Sequence, residues 1–184
     1  MPRPGKAFVL RRPEQVAALG SPVRARIVDV LSSRGPSSVE ELATAMGRQP
    51  ESLYYHVHTL RSVGLLVEHS RRKCRRRMET VYALVAPRLL LDREQRSPAY
   101  LKAVADSCAA LLRSSARDHR KALLGSDGFR DDLWLRRYAA VLDRRGLRRL
   151  QRLLRPIDAL MHAPPARRRG ETYTLTCILA PLPR

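Results

Sequence analysis

The sequence has few cysteines and no long apolar run, and each shortage argues against a class of protein. No stretch of the 184 residues approaches the roughly 20 apolar residues that span a bilayer, so no membrane partner is expected. Residues 1–13 lack the apolar centre of a signal peptide, and we expect a basic flexible tail there. Cys74, Cys108 and Cys177 are scattered and odd in number, which argues against a disulfide framework and favours a reducing cytoplasm.

Motifs of catalysis and metal binding are also missing. The chain has no Gly-rich phosphate loop, no Gly-x-Ser-x-Gly and no His-Glu-x-x-His sequence. His56 and His58 stand two residues apart, so on a helix they point in different directions and cannot share a metal ion. We therefore predict no enzymatic activity, no cofactor and no metal site.

Acidic residues are few relative to basic ones. The chain has 36 Lys and Arg residues against 17 Asp and Glu, for a formal net charge of +19 and a pI of about 11.3. Such a charge favours a polyanionic partner, with nucleic acid first. However, nearly all the cations are arginines, spread over both halves of the chain, and a GC-rich genome can produce that bias without selection for binding. The position of the charges therefore matters more than their sum.

Residues 21–64 carry the pattern of three short helices. Ser21-Pro22 is typical of a helix start, and apolar residues at helical spacing continue to about Arg34. Ser38-x-x-Glu41 is a capping box that predicts a second helix, which Gly47 ends. A third helix is predicted over 50–64, ending at Gly64. Two short helices joined by a tight turn with glycine indicate a helix-turn-helix.

The third helix has the composition of a DNA-reading helix. Leu53, Val57 and Leu60 form one apolar stripe, which leaves two adjacent tyrosines facing outward. The residues expected to reach base edges are Gln49, Ser52, Tyr54 and Tyr55. The residues expected to hold phosphates are Ser38, His58 and Arg61. The alternative is that the tyrosines are partly buried in a helical bundle.

A basic hairpin follows this helix. Strands are predicted over 65–70 and 78–84, and six of the seven residues between them are cationic. We interpret the hairpin as a wing that holds the DNA backbone or minor groove through Arg71, Arg72, Lys73, Arg75 and Arg76. The alternative is a solvated basic loop. Cys74 lies among these cations, which favour its thiolate, so it is either an oxidation sensor or an incidental surface cysteine.

The run from Leu19 to Leu84 resembles the winged-helix domain of ArsR-like bacterial transcription regulators. The resemblance is carried, in order, by GSPVRARIVDVL, SVEELATAMG, SLYYHVHTLRSVGLL and the wing. It implies a homodimeric, sequence-specific repressor or activator. Metal-sensing members of that family carry a Cys-x-Cys pair near the DNA-reading helix, or His/Asp pairs on the last helix. This chain has neither, so metal sensing is not implied.

Residues 87–184 predict a second, mainly helical region. Leu89 to Asp92 is predicted as a short helix, and Ser97-Pro98 begins a long helix that reaches about Leu124. Three- and four-residue spacing along the long helix predicts a dimerisation seam formed by Leu101, Val104, Cys108 and Leu111. The alternative is that this helix packs within its own monomer.

Residues 133–184 predict a strand–helix–strand unit. A strand is expected over 171–179 and an amphipathic helix with one arginine-rich face over 143–162. Residues 133–141 fit either a strand or a helix, and pairing with 171–179 favours the strand. The arginine-rich face is either solvated or in contact with nucleic acid. Trp134 and Tyr138 mark a candidate effector pocket, and the sequence indicates neither the ligand nor whether there is one.

The predicted fold class is α+β, mainly α. It comprises a winged helix-turn-helix domain over 14–86 and a dimerisation and effector region over 87–184. The predicted function is a homodimeric, sequence-specific regulator of transcription that binds double-stranded DNA in the cytoplasm, at the nucleoid. Two alternatives remain: a sequence-independent architectural protein that binds nucleic acid, and a winged-helix module that binds other proteins.

Overall fold

The computed structural model of the chain describes residues 7–74, 77–125, 131–162 and 172–181. The helices formed by these residues are α1 (Pro13–Leu19), α2 (Pro22–Arg34), α3 (Val39–Met46), α4 (Glu51–Ser62), α5 (Pro98–Leu124) and α6 (Arg144–Met161). The strands are β1 (Ala7–Leu10), β2 (Ser37–Ser38), β3 (Leu66–Cys74), β4 (Arg77–Leu84) and β5 (Arg88–Leu91). The predicted class, mainly α with small sheets, is confirmed.

The core lies where α2, α3 and α4 meet. It contains four fully buried aliphatic side chains, which are Ile27 of α2, Leu42 of α3, and Leu53 and Leu60 of α4. Each such burial contributes about 1.5–3 kcal/mol relative to an exposed side chain. The predicted apolar stripes of these helices therefore face one another in a shared core.

Two small sheets complete the N-terminal part. β2, β4 and β3 form an antiparallel sheet in that spatial order, and β3 has an irregularity between Glu68 and Ser70. β1 pairs with β5 in parallel, with Ala7 opposite Arg88. The hairpin of β3 and β4 is the predicted wing. Its strands reach further into the basic run than expected, to Cys74 and from Arg77.

The first turns of α5 are fixed to the N-terminal part. The buried Tyr100 hydroxyl donates to the Leu10 carbonyl oxygen at 2.7 Å and accepts from the Asp92 amide at 2.8 Å. Two turns further along, the Ser107 hydroxyl donates to the Val16 carbonyl oxygen at 2.8 Å. These bonds orient the long helix relative to α1 and β1.

Two predictions near the sheet of β1 and β5 are wrong. Residues 7–12 are not a flexible tail, because β1 lies there and pairs with β5. Leu89 belongs to a strand rather than to a short helix. Both errors have one cause, since the two strands pair across about 80 residues of sequence and neither has a long alternating pattern of its own. Residues 1–6 lie outside the described residues.

The strand–helix–strand unit is only partly correct. The amphipathic helix is confirmed as α6, but the described residues of the two flanking segments, 133–143 and 172–181, form no strand. Instead, the Thr176 hydroxyl shares a hydrogen bond with the Ser115 hydroxyl of α5 at 2.7 Å. The Tyr173 hydroxyl donates to the Asp132 carboxylate, which lies just before the first segment. An alternating pattern fits a strand but forms one only with a backbone partner.

Candidate nucleic-acid interface

Local capping fixes the turn between α3 and α4. Ser38 caps α3, and the Glu41 carboxylate accepts from the Ser38 amide at 2.8 Å, which completes the predicted capping box. Gly47 ends α3 with a left-handed φ of 62°, a conformation that glycine adopts without steric cost. The chain then turns into α4 within four residues, as a helix-turn-helix requires.

The outward face of α4 is polar and aromatic. Tyr54 is 54% exposed and Tyr55 is 70% exposed, whereas Leu53, Val57 and Leu60 are buried on the opposite side. The tyrosines are therefore not packed in a bundle. Four further predicted contact residues are also exposed on α4 or just before it: Gln49, Ser52, His58 and Arg61.

Ser38 is the exception among the predicted contact residues. Its side chain is only 1% exposed, and its hydroxyl accepts from the Glu41 amide at 3.3 Å. A phosphate cannot reach this hydroxyl, so the predicted phosphate contact at Ser38 is wrong. The capping role, inferred from the same motif, is confirmed.

The C-terminal end of α4 is held by α1, which the sequence patterns did not indicate. The Gln15 amide donates to the Val63 carbonyl oxygen at 3.1 Å, and the Arg12 guanidinium donates to the same oxygen at 3.0 Å. Gln15 is buried, and its own amide oxygen accepts from two backbone N–H groups at the start of α1. The orientation of α4 therefore depends on a helix before the helix-turn-helix.

His56 lies on the same helix, between the buried stripe and the outward face. Its ring meets the Tyr55 ring edge-on, with the centroids 5.5 Å apart. Its Nδ1 is enclosed and makes no hydrogen bond within the described residues. Burial lowers the pKa of His56, and the positive charges of Arg24 and Arg48 lower it further. The neutral ring is thus favoured in the folded protein.

The wing carries its cations on two strands. Arg71, Arg72 and Lys73 lie near the end of β3 and are exposed. The predicted contacts at Arg75 and Arg76 lie outside the described residues. Cys74 is exposed at the end of β3, and no disulfide joins the three cysteines. The wing therefore presents positive charge next to the outward face of α4.

Several wing cations are paired with carboxylates. Arg72 contacts Glu41 of α3 at 2.8 Å and Glu79 of β4 at 3.5 Å. The Glu41 hydrogen bond and charge raise the pKa of Arg72 above its usual value. On the other side of the wing, Glu68 contacts Arg61 at 2.9 Å and Arg71 at 3.5 Å. The Arg61 guanidinium also lies over the Tyr82 ring, 5.9 Å from its centroid.

The predicted dimerisation seam lies along α5. Leu101 is 50% exposed, Leu111 is 46% exposed and Cys108 is exposed, whereas Val104 is half-buried against the core. The contacts of α5 with the rest of the chain instead use the neighbouring side of the helix, where Tyr100 and Ala103 are buried. Most of the seam is thus uncovered in the single chain.

The C-terminal half has a large uncovered apolar surface. No residue of α6 is buried, and its arginines lie opposite a row of leucines. An ion pair between Asp158 and Arg88 links α6 to β5. Trp134 and Tyr138 are exposed, so they do not enclose a pocket in the single chain.

The described residues offer neither a metal site nor a membrane-spanning helix. No cluster of three or more His, Cys, Asp or Glu side chains in the described ranges is placed to hold a metal ion. None of the helices described above is long and apolar enough to cross a bilayer.

Comparison with known proteins identifies the region around α4. Residues 19–69 match a protein-family model described as a helix-turn-helix domain. This part of the chain is a helix-turn-helix DNA-binding domain. The match covers α2, α3 and α4 and ends within β3. No curated protein matches the chain. The match supports DNA as a partner, and regulation of transcription is the function that such a domain indicates.

Proposed function

We propose that the protein is a sequence-specific, ArsR-like regulator of transcription that binds double-stranded DNA in the cytoplasm, at the nucleoid. One observation carries the proposal. The helix that follows the helix-turn-helix turn exposes two adjacent tyrosines, at 54% and 70%, opposite a fully buried stripe. A helix of 12 residues spans roughly 18 Å, which suits the major groove.

Base contacts and phosphate contacts are divided between α4 and the wing. Gln49, Ser52, Tyr54 and Tyr55 reach base edges, where the pattern of donors and acceptors differs between base pairs. His58, Arg61, Arg71 and Lys73 hold phosphates, together with Arg75 and Arg76, which follow β3 in the sequence. Phosphate contacts supply affinity and salt dependence, while base contacts supply sequence choice.

A second copy of the chain completes the binding unit. The seam of Leu101, Val104, Cys108 and Leu111 runs along a 27-residue helix and is largely uncovered. Apolar residues at this spacing pair with the same residues of a second helix. Two-fold pairing of α5 then presents two copies of α4 to half-sites one helical turn apart, about 10 base pairs.

A protein-interaction module is the second candidate function. The observation that favours it is the set of exposed large apolar side chains on α6 and over 133–142, because grouped exposed apolar residues are typical of protein interaction sites. A regulator that binds DNA through α4 can also bind a protein partner through that surface. In the second candidate function, protein binding takes the place of DNA binding. The two cases differ in whether the protein selects a DNA sequence.

In vitro selection from random double-stranded DNA tests the proposal. We expect enrichment of one inverted repeat, with half-site centres about 10 base pairs apart. Enrichment of a single half-site would contradict the homodimer alone. Recovery of random sequence after repeated rounds would contradict sequence-specific regulation and favour the architectural alternative. Failure to retain any DNA would favour the protein-interaction module.

A further inference from the structure

Arg72 joins three elements of the DNA-binding domain. Its guanidinium contacts Glu41 on the first turn of α3 at 2.8 Å and Glu79 on β4 at 3.5 Å, while Arg72 itself lies on β3. In the strand register, Arg72 stands opposite Glu79. A single side chain thus links both strands of the wing to the helix that precedes α4.

Glu41 is itself held in place. One carboxylate oxygen accepts from the Ser38 amide at 2.8 Å, and the other contacts Arg72 at 2.8 Å. Ser38 in turn pairs with Val81 of β4 in the antiparallel sheet. Because the Glu41 carboxylate is fixed by a helix cap, its contact with Arg72 restrains the wing rather than only neutralising a mobile side chain.

The charge around Arg72 disfavours a phosphate. Two carboxylates contact the Arg72 guanidinium, so its charge is already engaged within the protein when a phosphate approaches. The neighbouring group differs, because Glu68 is shared by two arginines and that group keeps a net positive charge. Lys73 is exposed and takes part in none of the ion pairs between described wing residues, so its charge is available to a phosphate.

The orientation of side chains along β3 also separates Arg72 from Arg71 and Lys73. Successive residues of a strand face opposite sides of a sheet. Arg72 contacts α3, so Arg71 and Lys73 lie on the other side of β3. The wing therefore separates its cations into one that contacts the protein and two that face away from that contact.

We propose that Arg72 is a positioning residue that fixes the wing on α3 and sets its angle to α4, while Arg71 and Lys73 carry the phosphate contacts. This inference rests on the proposed function, because the angle matters only when α4 and the wing bind one duplex. It assigns Arg72 a different role from the backbone contact expected from the sequence.

The test compares Arg72→Gln with Lys73→Gln, a matched control that removes one positive charge from the next residue. Binding to the selected operator and to a random duplex is measured by fluorescence anisotropy between about 50 and 200 mM salt. Lys73→Gln should flatten the slope of log K against log salt by about one unit on both duplexes. Arg72→Gln should leave the slope unchanged and lower the preference for the operator.

A slope that flattens by about one unit in Arg72→Gln would overturn the inference, since that is the signature of a lost phosphate contact. This outcome is distinct from failure of the proposed function. If the wild-type protein shows no preference for any sequence, the proposed function fails, while the slope on the random duplex still decides the role of Arg72.

A double-mutant cycle tests the contact without DNA. Arg72→Gln, Glu41→Gln and the double variant are compared by thermal unfolding of the full chain, since glutamine keeps the capping box of α3 and removes only the charge. The positioning role predicts coupling, so that Glu41→Gln has a smaller effect once Arg72 is replaced. Strictly additive effects would show that the two side chains act independently and would overturn the restraint of the wing.

Discussion

Replacement of Tyr55 by alanine separates sequence reading from folding. The Tyr55 side chain is 70% exposed, so its removal should change the free energy of unfolding by no more than about 0.5 kcal/mol. A single hydrogen bond contributes about 0.5–1.5 kcal/mol, so the two Tyr55 side chains of a dimer contribute about 1–3 kcal/mol of discrimination. Because about 1.4 kcal/mol corresponds to a tenfold change, the preference for operator over random DNA should fall about 5- to 150-fold.

The assay is fluorescence anisotropy with labelled operator and random duplexes, and thermal unfolding checks the fold. Tyr138→Ala is the matched control, because Tyr138 is also an exposed tyrosine but lies outside the helix-turn-helix domain. It should leave the preference unchanged. If Tyr55→Ala weakens both duplexes by the same factor, or leaves both unchanged, Tyr55 does not read bases and the assigned outward face is wrong.

Three further predictions concern assembly and stability. Leu111→Glu should convert the dimer to a folded monomer in analytical ultracentrifugation, since Leu111 is already 46% exposed in the single chain. The control Leu124→Glu, which lies off the seam and is 69% exposed, should leave the dimer intact. A monomeric wild type would refute the seam. Gly64→Ala should lower the free energy of unfolding in urea by about 1–2 kcal/mol, because the φ of 77° is left-handed. An added Cβ meets no atom, so backbone strain alone sets this loss, and Gly64→Asn should lose less. The pKa of His56 is lowered below 6.5, so the unfolded state takes up the proton first and stability should fall as pH drops below about 6.5; His56→Gln should remove part of that fall.

Short-range signals predicted the helix-turn-helix well. The capping box at Ser38 and the left-handed glycine at Gly47 act within three or four residues, so the sequence shows them directly. The apolar stripe of α4 is also a local pattern, and its three members are all buried. The predicted bounds, 50–64 for a helix that occupies Glu51–Ser62, differ because terminal residues adopt turn geometry.

Long-range contacts were not predictable in the same way. β1 pairs with β5, and Gln15 reaches the end of α4 across 48 residues, without any periodic pattern that marks the partner. The Arg72 contacts show a second limit. A run of cations indicates a basic surface, but it does not indicate which cation meets a carboxylate of another element. Those pairings follow from the packing of the wing against α3.

The C-terminal half illustrates a third limit. The period of α6 is a property of one segment, so its bounds were predicted to within a residue or two. A strand needs a neighbouring strand, and the alternating segment at the C-terminus instead meets α5 through Thr176. An alternating pattern is compatible with a paired strand and also with an extended segment that contacts a helix. Sequence pattern alone therefore predicts an amphipathic helix more securely than a strand.

The most direct test of sequence-specific binding is the salt dependence of affinity for the selected operator against a scrambled duplex of equal length and composition. Raising the salt concentration from about 50 to 200 mM weakens phosphate contacts steeply, so that base contacts decide the preference. Fluorescence anisotropy measures both affinities over this range. We predict tighter binding to the operator, with a preference that survives at the higher salt. Equal affinities that fall together as salt rises would contradict a sequence-specific regulator.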